Sequence, residues 1–128
     1  MGLVGCIWLS SAGCGGSGGS STPSPFAGTW VGTWNAPSIP DSGTTNVTID
    51  TNGQITGSTH DNNSGTNGTF TGSITNAGAL SATVSYPGTA NSSVTGTGSI
   101  ASNGHLLGNA IQVQGGVQVG LTEDLTKQ

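Results

Sequence analysis

Between Gly28 and Leu125 the chain alternates apolar and polar positions with period two, in short runs broken by Gly, Asn, Asp and Pro. In the run Ala79 to Tyr86, Leu80, Ala82, Val84 and Tyr86 fall on one side and Ser81, Thr83 and Ser85 on the other. Alternation of this kind turns one face to a core and the other to water, and so predicts a half-buried strand. The same rhythm predicts strands at Gly28 to Asn35, Thr45 to Asp50, Gln54 to Thr59, Thr69 to Thr75, Ser93 to Ala101, His105 to Val113 and Val117 to Leu125. Trp30, Gly32 and Trp34 share a face of the first of these, and Phe70, Gly72 and Ile74 share a face of the fourth. Asn52-Gly53, Pro87-Gly88, Asn103-Gly104 and Gly115-Gly116 supply turns, Pro37 and Pro40 mark a longer loop, and His60 to Asn67 reads as a polar loop.

Part of this pattern is repeated. Gly72-Ser73-Ile74-Thr75-Asn76-Ala77-Gly78-Ala79-Leu80 returns 26 residues later as Gly98-Ser99-Ile100-Ala101-Ser102-Asn103-Gly104-His105-Leu106, and Val47 to Ile55 is a looser copy 25 residues earlier. Each copy is a strand, an Asn/Gly turn and the start of another strand, which is one hairpin written three times. The fold expected is all-β, a single antiparallel up-and-down meander of about eight strands closing into a small barrel. A β-sandwich or a short β-solenoid built on the repeat are the alternatives. Gly72, Gly96, Gly98 and Gly108 lie inside strands, where glycine marks bends, and barrel closure uses bends.

Composition narrows the function. Of 128 residues only 5% are charged and 24 are Gly, so helix is nearly excluded. Lys127 is the sole Lys or Arg, set against Asp41, Asp50, Asp61, Glu123 and Asp124, for a net charge of -4. Nucleic-acid binding rests on neutralising phosphates with Lys and Arg, so this class of partner is excluded, and anionic membrane surfaces are disfavoured.

The N-terminus carries its own information. Leu3 to Leu9 is an apolar run too short for a bilayer span and suited to the core of a secretory signal. It is followed by Ser10-Ser11-Ala12-Gly13-Cys14 and a Gly/Ser/Pro tract to Pro25. This arrangement resembles bacterial lipoproteins, whose Cys becomes the lipidated first residue of the mature chain. The resemblance implies a signal peptide over 1-13, a tether over 14-25, a barrel domain over 26-128 and a membrane anchor at Cys14. An unlipidated secretory signal and a Cys6 to Cys14 disulfide are the alternatives.

Phe26-Ala27-Gly28-Thr29-Trp30 has the Phe-x-Gly-x-Trp form that opens the first strand of lipocalins. In that family the Trp plugs the closed end of an eight-stranded antiparallel barrel whose other end receives a small apolar ligand, and an Arg near the last strand packs over it. Here the only basic residue available is Lys127. Gly28-Thr29-Trp30 with Asn52-Gly53-Gln54-Ile55-Thr56-Gly57 also resembles the opening of avidin-type barrels. The biotin site of those barrels uses Trp residues in later strands, and this domain has none after Trp34. The chain is most similar to small Gly/Thr-rich bacterial lipoproteins that carry one lipocalin-like barrel and have no assigned activity.

Candidate chemistry is sparse. Trp30, Trp34, Phe70 and Tyr86 are the candidate ligand-binding residues, and as aromatics on inward faces they serve equally to fill the barrel, the reading the residues favour. His60, His105 and the His60-Asp61 pair read as solvated loop groups, with no third His or domain Cys to complete a metal set. Asp50 to Gly53 and Asp61 to Gly65 lack the closing Glu of a calcium loop. Glu123 and Asp124 are adjacent on a strand and so face opposite sides. Gly15 to Gly19 fits the nucleophile-elbow pattern by composition alone. The expectation is therefore an exported, lipid-anchored, non-enzymatic barrel of the cell envelope, without metal or cofactor, binding a small apolar ligand or an envelope protein. A surface adhesion protein is one alternative. Another is a protease inhibitor acting through Phe26 and the Pro-rich stretch to Pro40.

Overall fold

Eight strands form along the alternating runs: β1 (Gly28–Ala36), β2 (Asp41–Ile49), β3 (Gln54–Asp61), β4 (Thr66–Ile74), β5 (Ala79–Ser85), β6 (Ser92–Ile100), β7 (Leu106–Gln114) and β8 (Val117–Lys127). This computed structural model describes residues 22–128; the expected signal segment 1-13, Cys14 and most of the tether lie outside the described residues. Each strand pairs antiparallel with its neighbours in sequence, and β8 returns to β1 to close the barrel, with Trp30 opposite Lys127 and Trp34 opposite Glu123. Closure rules out the sandwich and the solenoid, and the architecture is compatible with a lipocalin-like fold.

The polar loop expected over His60 to Asn67 is a correction. His60 pairs with Asn67 and Asp61 with Thr66, which leaves only 62–65 as the turn, tied by Gly65 N–H to the Asp61 carbonyl at 2.8 Å. Likewise β2 begins at Asp41, four residues before the expected start, and β8 runs on to Lys127. For the β2 start and the β3-β4 turn the physical reason is shared: the in/out alternation continues, but at this end of the barrel the inward side chains are themselves polar, so hydropathy contrast disappears while strand geometry persists. β8 is extended instead at the opposite end, where Lys127 pairs with Trp30.

The three sequence repeats become three hairpins, β2-β3, β4-β5 and β6-β7, all turning at the same end. Gly53, Gly78 and Gly104 close them with φ of 83°, 99° and 87°. In each, the glycine N–H donates to the carbonyl three residues back, that of Asp50, Thr75 or Ala101, at 2.9–3.0 Å. The N–H of that same residue donates to the carbonyl of Gln54, Ala79 or His105. This is a turn completed by a left-handed glycine, whose twist suits a hairpin.

That end is plugged. Trp30, 1% exposed, packs among Phe26, Ile49, Ile55, Ile74, Leu106 and Leu125, and its indole Nε1 donates to the Phe26 carbonyl at 2.7 Å. Each such side chain contributes about 1.5–3 kcal/mol on burial. Lys127 places Nζ 5.7 Å from the Trp30 ring centroid, so it covers the Trp at the closed end. Ser24 N–H donates to the Thr51 carbonyl and Asn76 Nδ2 to the Thr22 carbonyl, which brings the N-terminal segment in against the same plugged end. Phe26 is 4% exposed and belongs to the plug, so it is not offered to a protease as the inhibitor reading requires.

Many outward positions on β1 to β5 are uncharged hydroxyl groups, whereas β6 to β8 also expose Ile100, Leu107, Ile111 and Val117. Thr29, Thr48, Thr56, Thr71 and Thr83 stand opposite one another in register across five strands, all exposed. The abundance of Thr thus serves strand propensity on a wet face.

Candidate functional site: the open end of the barrel

Above the plug the inward residues become smaller. Gly43, Thr45, Thr59, Gly68 and Ser92 replace the ring of Ile and Leu, and a cavity of about 540 Å³ opens between the loops at 37–40, 62–65, 86–91 and 115–116. Trp34, Phe70 and Tyr86 line it, whereas Trp30 does not: four residues along the same strand, it is sealed in the core. The four aromatics therefore split into one plug residue and three wall residues. Trp34 lies flat because Gly43, its partner on β2, has no side chain; a Cβ there would come within 2.4 Å of the indole nitrogen. The indole N–H is held by the His60 carbonyl at 3.2 Å.

The polar groups of the wall are acidic. Glu123, Thr45 and Phe70 line both the cavity and a void of about 40 Å³ beneath it, whose other walls are aliphatic, so these three form the floor. Asp41 and Asp61 stand nearer the mouth. Burial pushes the Glu123 carboxyl above its ordinary range, against a smaller opposing effect of the Thr45 hydroxyl that hydrogen-bonds to it. Asp41 is raised by burial, then by its hydrogen bond to Asp61, partly offset by the Ser42 N–H that donates to it at 2.8 Å. Burial also raises the Tyr86 phenol. The histidines face away: His60 Nδ1 meets Asn67 Oδ1 and His105 Nδ1 meets Asp124 Oδ1, both at 2.6 Å on the outer wall. His60 and Asp61 are thus on opposite sides of β3 and form no reactive pair.

A carboxyl whose folded pKa is raised gives stability that is present below its unfolded pKa and is lost as pH rises through the folded value. For Glu123 and Asp41 the unfolded values are near 4.5 and 3.8. The thermal midpoint of the wild type is expected to fall as pH climbs from about 4 to about 7.5. E123Q is expected to flatten that fall and to be the more stable protein at neutral pH. Scanning calorimetry of both proteins across this range checks it; a wild-type midpoint that rises toward neutrality contradicts it.

The inward parity of Trp34, Phe70 and Tyr86 is legible in the sequence; that Glu123, Asp41 and Asp61 share the cavity with them is a finding of the structure. For Glu123 a signal existed, since it has the inward parity of Leu121 and Leu125 on β8, and a charge at an inward position requires an explanation. Comparison of the chain with protein-family models, curated proteins and solved structures returned no match.

Proposed function

We propose that this chain is an exported, lipid-anchored, non-enzymatic binding protein of the bacterial cell envelope that takes a small molecule into the open end of its barrel. The observation that carries the reading is the cavity of about 540 Å³ with an apolar, aromatic wall and a few polar groups. Small-ligand sites have this character and commonly occupy about 300–1,000 Å³. The placement of the N-terminal segment supports it as well. Residues 22–26 meet the plugged end, so a tether from Cys14 would join the barrel at the end opposite the mouth. The acceptor groups on the wall and the outward-facing histidines favour binding over turnover.

The test is a cavity-filling variant. Val119 lines the cavity and is partly buried. V119W is expected to weaken uptake of the uncharged fluorescent probe N-phenyl-1-naphthylamine at least about tenfold while the protein stays folded. Equal probe enhancement in the two proteins would show that the cavity is not the site of uptake.

A further inference from the structure

The cavity carries charge of one sign only. Its ionisable groups are Glu123 on β8, Asp41 on β2, Asp61 on β3 and the Tyr86 phenol, and no basic side chain lies on its wall. The only Lys or Arg of the chain is Lys127, which is held over Trp30 at the plugged end. Four residues separate it from Glu123 along β8, about 13 Å of strand. Both histidines are engaged on the outer wall. Glu123 is the deepest of the cavity acids, at the floor between Thr45 and Phe70 with an aliphatic void below. On the neighbouring strands it stands opposite Trp34 and Gly108, neither of which can neutralise it.

A carboxylate taken out of water is costly unless a cation meets it. Nothing among the described residues supplies that cation, yet the cavity leaves room for one and lines it with Trp34, Phe70 and Tyr86. Aromatic faces attract cations, most strongly where water is excluded. Asp41 and Asp61 at the mouth add negative potential along the way in, which raises the local concentration of a positively charged ligand. An anion would meet three carboxyl groups, and a neutral apolar molecule would cover Glu123 without pairing it.

We infer that the open cavity is a site for small organic cations, in which a protonated amine pairs with Glu123 while an apolar or aromatic body rests on Trp34, Phe70 and Tyr86. This inference rests on the small-molecule reading of the same cavity and specifies the class of ligand. The raised pKa of Glu123 adds a consequence. Amine binding favours its ionised form, so proton release accompanies binding wherever the free carboxyl is partly protonated, and amine affinity is lost as pH falls.

The experiment is calorimetric titration of the full chain with three probes that share one ring: 2-phenylethylamine, 2-phenylethanol and 3-phenylpropanoate. At about pH 7.5 the amine is expected to bind the wild type at least about tenfold more tightly than the alcohol, with the carboxylate weakest. E123Q is expected to bring amine and alcohol within about threefold of each other, whereas D124N, which changes a carboxylate on the outer wall, keeps the preference for amine. At pH values where the free carboxyl is partly protonated, the amine's binding heat in the wild type should depend on the buffer's ionisation enthalpy, reporting the released proton; this readout needs no variant. If amine and alcohol bind the wild type equally, or E123Q leaves the preference intact, the cation inference falls. Should the alcohol bind and V119W abolish it without any preference for amine, the cavity reading survives alone. If no probe binds, both are overturned.

Discussion

Trp30→Ala is expected to lower the stability of the barrel by about 3–5 kcal/mol, the cost of emptying a large aromatic site in a packed core. Such a domain has only about 5–15 kcal/mol in total, so the variant is expected to melt at least about 12 °C lower or to fail to fold at physiological temperature. Three contributions are lost together: the burial of a side chain that is 1% exposed, the indole hydrogen bond to the Phe26 carbonyl, and the packing of Lys127 over the ring. Trp34→Ala has a smaller effect, because one face of that ring fronts the cavity and no enclosed hole is left behind. Chemical denaturation of the two variants checks the contrast. A Trp30→Ala loss below about 1 kcal/mol would show that the closed end is not the core of this barrel.

Gly72→Ala is expected to rank second, at about 1–3 kcal/mol or more. A Cβ at this position would lie 2.3 Å from the Ser81 carbonyl oxygen and 2.5 Å from the Ala82 Cα on β5, both backbone atoms that cannot yield without shifting the ladder. The strands approach this closely because a barrel of eight strands must bend sharply to close. Gly108 is the internal control. There the nearest atom would be the Glu123 Cβ at 3.6 Å, next to the small void, so Gly108→Ala is expected to cost less than about 1 kcal/mol. Urea midpoints of the two variants decide it, and equal losses would mean that Gly72 is not set by steric closure.

The sequence lends itself to reading the fold more than the site. Period-two alternation located all eight strands, and the threefold repeat announced hairpins that share one end of the barrel. The Phe26-to-Trp30 motif marked that end as the plug, and Lys127, the one basic side chain available, lies over the Trp30 ring. Parity along a strand tells which residues face inward, but not how deep each lies. Trp30 and Trp34 have the same parity on the same strand, yet one is core and the other is cavity wall. Deciding between them requires the register that ranks Ile49, Ile55, Ile74 and Leu106 in one layer and Gly43, Thr45, Thr59 and Ser92 in another. That register depends on strand stagger around the whole barrel, which no local pattern records. The same limit hid β3 and β4 near His60 and Asn67, where inward side chains turn polar and the contrast that reveals strands is gone.

The central claim is that this barrel is sealed at one end and hollow at the other, and that the hollow end takes the ligand. Nitrogen-15 NMR of the labelled chain, titrated with 2-phenylethylamine, addresses it through the indole N–H signals of the three tryptophans. The Trp34 indole, held by the His60 carbonyl at the cavity wall, is predicted to shift progressively to saturation, together with backbone amides around Thr45 and Glu123. The Trp30 indole, bonded to the Phe26 carbonyl inside the plug, is predicted to stay in place. Shifts confined to the outer Thr face, a moving Trp30 indole with a stationary Trp34, or a spectrum that does not change would contradict the account.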